Sequence, residues 1–294
     1  MDTEKFRGLG VAMVTPFKDN LQIDYSALDK LIDFLLGNGV NFLVVQGTTA
    51  ETATLTDNEK RQLADYIIKK VNRRVPIVLG IGGNDTQKVI ETYKNFDLTG
   101  VDAILSVTPY YNKPTQKGLY LHFKAIAEAT RLPLIVYNVP GRTGVNMTAE
   151  TTLKLAHDFQ GKIIAVKEAS GNLNQMAYIL RDRPDGFLVL SGDDGLTLPQ
   201  MAMGADGVIS VVGNCAPAQF SRMVNLALQG KFTDAAALHL SLIELIDLLF
   251  LEGNPGGVKA ALNALGIIEN VLRLPLAPVG ESTFEKIRNA LKIL

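Results

Sequence analysis

KIIAVKE, residues 162–168, holds four apolar residues in succession, Ile163 to Val166, and then sets Lys167 and Glu168 where a strand leaves the core. Polar residues do not alternate with the apolar ones. A strand buried on both faces has this character, and it is what a parallel sheet covered by helices requires. Seven other segments share it: GVAMVTPF (10–17), NFLVVQG (41–47), VPIVLGI (75–81), DAILSVTP (102–109), LPLIVYNV (132–139), GFLVLSG (186–192) and DGVISVVG (206–213). Amphipathic stretches lie between them, among them 57–71 after TLTD, 86–97 after GND and 216–228 after GNCA. About eight strands alternating with helices is the number that closes a (β/α)8 barrel. From Lys231 onward only helical patterns follow. The predicted organisation is a catalytic barrel over 1–230 and a C-terminal helical region over 231–294.

Composition narrows the function classes. The 294 residues are 47% hydrophobic and 20% charged, which provides for one barrel-sized core. Lys and Arg total 29 against 30 Asp and Glu, a formal charge of -1, so neither nucleic acid nor an anionic membrane is an expected partner. The single cysteine, Cys215, forms no internal disulfide, and MDTEKFRG lacks the apolar core of a secretion signal; both fit the cytoplasm. The most apolar stretch, 235–251, is broken by His239, Ser241, Glu244 and Asp247 and reads as a buried helix of a soluble protein.

In such a barrel, reactive groups sit where strands end and βα loops begin. Lys167 stands at such an end, and two readings are open for it. A strand-end lysine commonly snorkels to solvent. Sheltered in a barrel mouth, the same amine is shifted toward its neutral form, which attacks carbonyls and forms a Schiff base. In VYNVPGRTG, Tyr137 is either a core aromatic or a phenol that shuttles protons, and Arg142 either a solvated loop charge or a two-pronged carboxylate clamp. In QGTTAETATL, Thr48 and Thr49 are either helix-capping residues or, with the adjoining amides, a carboxylate site.

Other chemistries fit poorly. Asp193 and Asp194 in SGDDG oppose a phosphate after strand seven. His122, His157 and His239 stand isolated in helical patterns, so no metal site is expected. GIGGND breaks the dinucleotide fingerprint at Asp85, and NPGGVK fails the phosphate-loop pattern. No cofactor is expected.

The ordered set GTTAETATL, TPYYNKPTQKGLYLHF, YNVPGRTG, VKEASGN, SGDDG, GVISV and NPGGVK resembles the dihydrodipicolinate synthase branch of the pyruvate-dependent class I lyases, the family that also contains N-acetylneuraminate lyase. The resemblance covers essentially the whole chain. It implies that Lys167 forms an imine with pyruvate, with Tyr137 as proton shuttle beside it. Thr49 would hold the pyruvate carboxylate, and Thr48 would link Tyr137 to Tyr111, a tyrosine that in this family reaches in from the partner subunit of a homotetramer. Gly192 and Ile209 would complete the pyruvate pocket, and Arg142 would clamp the carboxylate of L-aspartate 4-semialdehyde, giving 4-hydroxy-tetrahydrodipicolinate on the route to diaminopimelate and lysine. Cleavage of a sialic or sugar acid into pyruvate and an aldehyde is the alternative. GRTG favours the synthase, because a guanidinium suits a short carboxylated aldehyde better than a polyol.

Two departures from the family pattern stand out. Ala50 replaces a glycine, which predicts a small shift of the threonine loop. At the groove where feedback-inhibited members bind free lysine, the matching positions are Asp57, Lys60 and Lys88, with Asn84 and Tyr110 retained. Two like charges there predict little or no inhibition by lysine.

Overall fold

The computed structural model describes residues 3–293. Eight strands close into one parallel barrel in chain order, β1 (Gly8–Ala12), β2 (Phe42–Val45), β3 (Ile77–Gly80), β4 (Ala103–Val107), β5 (Leu134–Asn138), β6 (Ile163–Glu168), β7 (Leu188–Ser191) and β8 (Gly207–Ser210). Seven of the eight segments read from the sequence contain one of these strands, and the first, 10–17, overlaps β1 only over 10–12. Closure falls between β1 and β8, where Gly8 pairs with Gly207. Both have left-handed φ, and a Cβ on Gly207 would lie 2.1 Å from the Gly8 carbonyl oxygen, so only glycine lets the two backbones meet at this seam.

The lack of alternation has a direct cause. Residues of opposite phase on each strand enter two different apolar layers, both buried. Phe42, Val44, Ile135, Ala165 and Leu190 fill the barrel interior, while Leu43, Val45, Val136, Val166 and Val189 face the surrounding helices. Strand ends follow the same phase. Tyr137 is in step with Ile135 on the interior side; Lys167 is in step with Ala165, and Glu168 with Val166 on the helix side.

The outer layer comprises α1 (Tyr25–Gly37), α2 (Asp57–Val71), α3 (Thr86–Asn95), α4 (Gln116–Ala129), the short α5 (Pro140–Thr143), α6 (Ala149–Asp158), α7 (Leu173–Asp182), α8 (Thr197–Ala202) and α9 (Pro217–Leu228). Helix α2 starts where TLTD predicts: Thr56 caps the Glu59 amide, and the Glu59 carboxylate returns a bond to Thr56. Helix α10 (Phe232–Leu251) packs on α8 and α9, and α11 (Gly256–Ala264) and α12 (Glu281–Ile293) pack on α10. No helix among the described residues is long and apolar enough to cross a membrane.

Two expectations need correction. The first strand begins at Gly8 and ends at Ala12, so 13–17 is not strand; Pro16 has no N–H to give a ladder, and Phe17 instead forms an antiparallel bridge to Ile23. The C-terminal region is not helical throughout. Residues 265–280 form a non-helical connection of turns and coil, entered through the left-handed Gly266 and kept from helix by Pro275 and Pro278.

Candidate active site

At the C-terminal mouth, Tyr137 and Lys167 are direct register partners on β5 and β6. Both are buried, and the Lys167 amine lies 4.3 Å from the centre of the Tyr137 ring. Among the described residues, this amine has neither an ion-pair nor a hydrogen-bond partner. Gly192, just past β7, closes over its stem: a Cβ there would lie 3.1 Å from Lys167 Cε and 2.6 Å from Ala169 Cβ. Any side chain at 192 would push the lysine aside. Ile209, on β8, belongs to the same interior cluster as Tyr137.

The helix-side residues of the same strand ends lock this pair. Glu168 is buried and accepts from Asn138 Nδ2 at 3.1 and 3.2 Å, from Gln175 Nε2 at 3.1 Å and from the Ser170 amide at 2.7 Å. Asn146 bridges Asn138 and Gln175. A carboxylate held by three donor groups costs little to bury and fixes the backbone from which Tyr137 and Lys167 project. Sequence reasoning missed Asn138, Asn146 and Gln175. Their signal is the strand phase: a polar residue facing the helices must find partners there.

The threonine loop lies after β2. Thr48–Ala50 and Thr52–Thr54 form single 3-10 turns, and Glu51 between them takes a left-handed φ of 55°. Thr48 is exposed and Thr49 is 2% exposed. The left-handed residue is Glu51 and not Ala50, so an alanine at 50 meets no backbone penalty; its carbonyl accepts from the Thr15 hydroxyl at 2.8 Å. Helix capping belongs to Thr56, which leaves Thr48 and Thr49 uncommitted to it.

The C-terminal region holds this loop. Glu51 is ion-paired with Lys259, which is fully buried, donates to the Val271 carbonyl at 2.9 Å and lies 4.2 Å from the Phe17 ring centre. Desolvation holds the Lys259 amine below the usual lysine range, against the opposing pull of Glu51. The Arg273 amide donates to Glu51 at 2.9 Å, and its guanidinium reaches Glu59, whose carboxyl that bond holds down at about 2. Asn254, between α10 and α11, gives Nδ2 to Thr49 Oγ1 at 3.0 Å and receives Arg142 Nη2 on its main-chain oxygen at 3.2 Å. Arg142 itself lies in the last turn of α5, one residue before its end at Thr143, and is otherwise exposed.

Tyr111 is not joined to this group within the chain. Its ring is 88% exposed, on a residue with a φ of 74°. The expected link through Thr48 is absent among the described residues. Asp194 points away from solvent: its Oδ2 accepts from the amides of Val211 at 2.9 Å and Val212 at 2.7 Å, and burial pushes its carboxyl up to about 6 despite those bonds. The amides after strand eight that hold phosphate in other barrels are taken by a carboxylate of the chain itself. The three histidines lie apart on α4, α6 and α10. His122 is bonded to Thr86, and burial pushes it down to about 4. On α2 and α3, Lys60 lies 3.4 Å from Asp57 and Lys88 4.0 Å from Asp85.

A closed parallel barrel with a sheltered lysine beside a tyrosine at its mouth is the arrangement of an imine-forming aldolase-type enzyme. The chain belongs to the dihydrodipicolinate synthetase family, whose model matches residues 5–294. It is 59% identical over 292 residues to the 4-hydroxy-tetrahydrodipicolinate synthase of Phocaeicola vulgatus, covering 98% of each chain. Its fold matches the crystal structure of dihydrodipicolinate synthase from Thermotoga maritima, with a TM-score of 0.95, 42% identity and coverage of 98% of this chain and 99% of that one. A lysine-bound dihydrodipicolinate synthase from Cyanidioschyzon merolae matches with a TM-score of 0.94, 40% identity and 98% coverage of both. The chain is a lyase.

Proposed function

We propose that this chain condenses pyruvate, held as an imine on Lys167, with L-aspartate 4-semialdehyde. The activity is 4-hydroxy-tetrahydrodipicolinate synthesis, in keeping with the family and the named relatives. One observation carries the assignment of Lys167: a buried amine at a strand end that, among the described residues, has no ion-pair or hydrogen-bond partner and packs against a tyrosine ring and a glycine. Lys259, the other buried lysine among the described residues, is committed to Glu51 and a carbonyl, which supports Lys167 as the nucleophile.

The amine adds to the keto carbon of pyruvate, and water leaves as the C=N bond forms. Tyr137 passes protons during this step. The protonated nitrogen then draws electrons as a methyl proton departs, and the resulting enamine carbon attacks the aldehyde. The substrate's own amine closes the ring on the imine carbon and expels Lys167, so that one water is released overall. Thr49 and the adjoining amides hold the pyruvate carboxylate, Gly192 and Ile209 wall the pocket, and Arg142 holds the carboxylate of the aldehyde.

Thr48 and Tyr111 complete a hydroxyl relay between subunits of a homotetramer in the cytoplasm. The exposure of Tyr111 supports this, because a ring so placed is available to a partner chain.

Arg142→Ala tests the choice of acceptor. Losing a charge-assisted contact costs on the order of 1.5 to 3 kcal/mol, so kcat/KM for the aldehyde should fall by roughly tenfold or more while the pyruvate KM holds. Equal losses for both substrates, or efficient cleavage of a sialic acid by the wild type, would contradict the reading.

A further inference from the structure

The threonine that binds the pyruvate carboxylate must donate its hydroxyl proton to that group. An isolated threonine hydroxyl rotates freely, and several acceptors compete for its proton. In this chain a neighbour decides the matter. Asn254 Nδ2, a group with no acceptor capacity, lies 3.0 Å from Thr49 Oγ1. The threonine oxygen therefore accepts from Asn254, and its own proton remains for the substrate. Asn254 is 7% exposed and lies between α10 and α11, far from Thr49 in sequence. Its main-chain oxygen receives Arg142 Nη2 at 3.2 Å. One residue thus touches both groups assigned to substrate carboxylates, with its side chain on one and its backbone on the other. Its Oδ1 is buried with no hydrogen-bond partner among the described residues, so the side chain is held there without satisfying that atom.

We propose that Asn254 is a positioning residue that polarises the Thr49 hydroxyl toward the pyruvate carboxylate, while its backbone alone serves Arg142. This rests on the pyruvate site described above. Side-chain replacements should then act on pyruvate and spare the aldehyde. Asn254→Asp is nearly isosteric but presents acceptors, so the Thr49 proton turns toward it and away from the substrate. Asn254→Ala leaves the hydroxyl free to rotate, which is the milder defect.

The expected pyruvate KM rises at least tenfold in Asn254→Asp and three- to fivefold in Asn254→Ala, while the aldehyde KM stays within twofold in both. A purely structural role predicts the reverse order, because alanine leaves the larger void, and it moves both KM values together. Repulsion of pyruvate by the new carboxylate is separated by Thr49→Val: in that background Asn254→Asp should add little, whereas simple repulsion adds its full effect. If the aspartate variant fails to fold, the Asn254→Ala and Thr49→Val pair carries the same test, since the proposal requires their effects to be non-additive and additivity overturns it. Borohydride trapping of pyruvate by the wild type is run alongside. Trapping on Lys167 with an alanine variant as damaged as the aspartate one sinks this proposal alone; no trapping at all sinks the site reading beneath it.

Discussion

Burial decides the character of individual side chains here. Gly192 is glycine because Lys167 occupies the space a side chain would need. Asp194 and His122 are shifted in opposite directions by the same cause, desolvation, since one loses a charge when it binds a proton and the other gains one. Between its usual value of 3.8 and about 6, Asp194 holds a proton in the folded chain more often than in the unfolded one, so its contribution to stability falls as pH rises. His122 acts in the other sense. Between about 4 and its usual 6.5 the unfolded chain holds the extra proton, and stability rises with pH. Over the shared window the two slopes oppose, each limited to about 1.4 kcal/mol per pH unit. Urea midpoints taken across that window should therefore climb more steeply with pH in Asp194→Asn than in the wild type, and fall relative to it in His122→Gln. Unchanged slopes in both variants would refute the two shifts.

At the scale of elements, the β2 loop is held chiefly by residues from the far end of the chain. Glu51 takes a left-handed conformation, which costs a non-glycine residue about 1 to 3 kcal/mol, and Lys259 and the Arg273 amide hold it there. Lys259→Met leaves a buried carboxylate without its cation and should destabilise the protein by roughly 3 to 5 kcal/mol. Adding Glu51→Gln should recover much of that in thermal or urea unfolding; additive losses would show that the pair is not the operative contact. This link was not legible in the sequence. NPGGVK stood out as a segment, but the contacts of Asn254 and Lys259 with residues some two hundred positions away follow from closure of the barrel and have no local signature. The strands were legible because burial on both faces leaves continuous apolar runs, and Lys167 and Tyr137 because they end such runs. Strand limits were less so: Met13 and Val14 are as apolar as any strand residue, yet they lie beyond the end of β1, in the stretch running toward Pro16. The coil over 265–280 hid among apolar residues for the same reason, because hydrophobicity reports burial and not backbone shape.

For the molecule as a whole, the barrel brings Lys167, Tyr137, Gly192 and Ile209 to one mouth but leaves Tyr111 turned outward. A site completed by a neighbour follows if that ring enters a partner subunit. Tyr111→Phe keeps the ring and loses the hydroxyl, so it should weaken catalysis without unfolding the chain. Mixed oligomers of Tyr111→Phe and Lys167→Ala chains then contain some sites with both a lysine and a tyrosine, and should show activity above that of either parent; no gain over the parents in oligomers demonstrated to be mixed would count against a shared site. Everything else depends on the amine at the centre. Incubation with pyruvate, reduction with borohydride and peptide mapping tests it most directly. The account predicts a pyruvyl adduct on Lys167 and none on Lys259 or Lys162, while an adduct on another lysine, or no adduct, would contradict it.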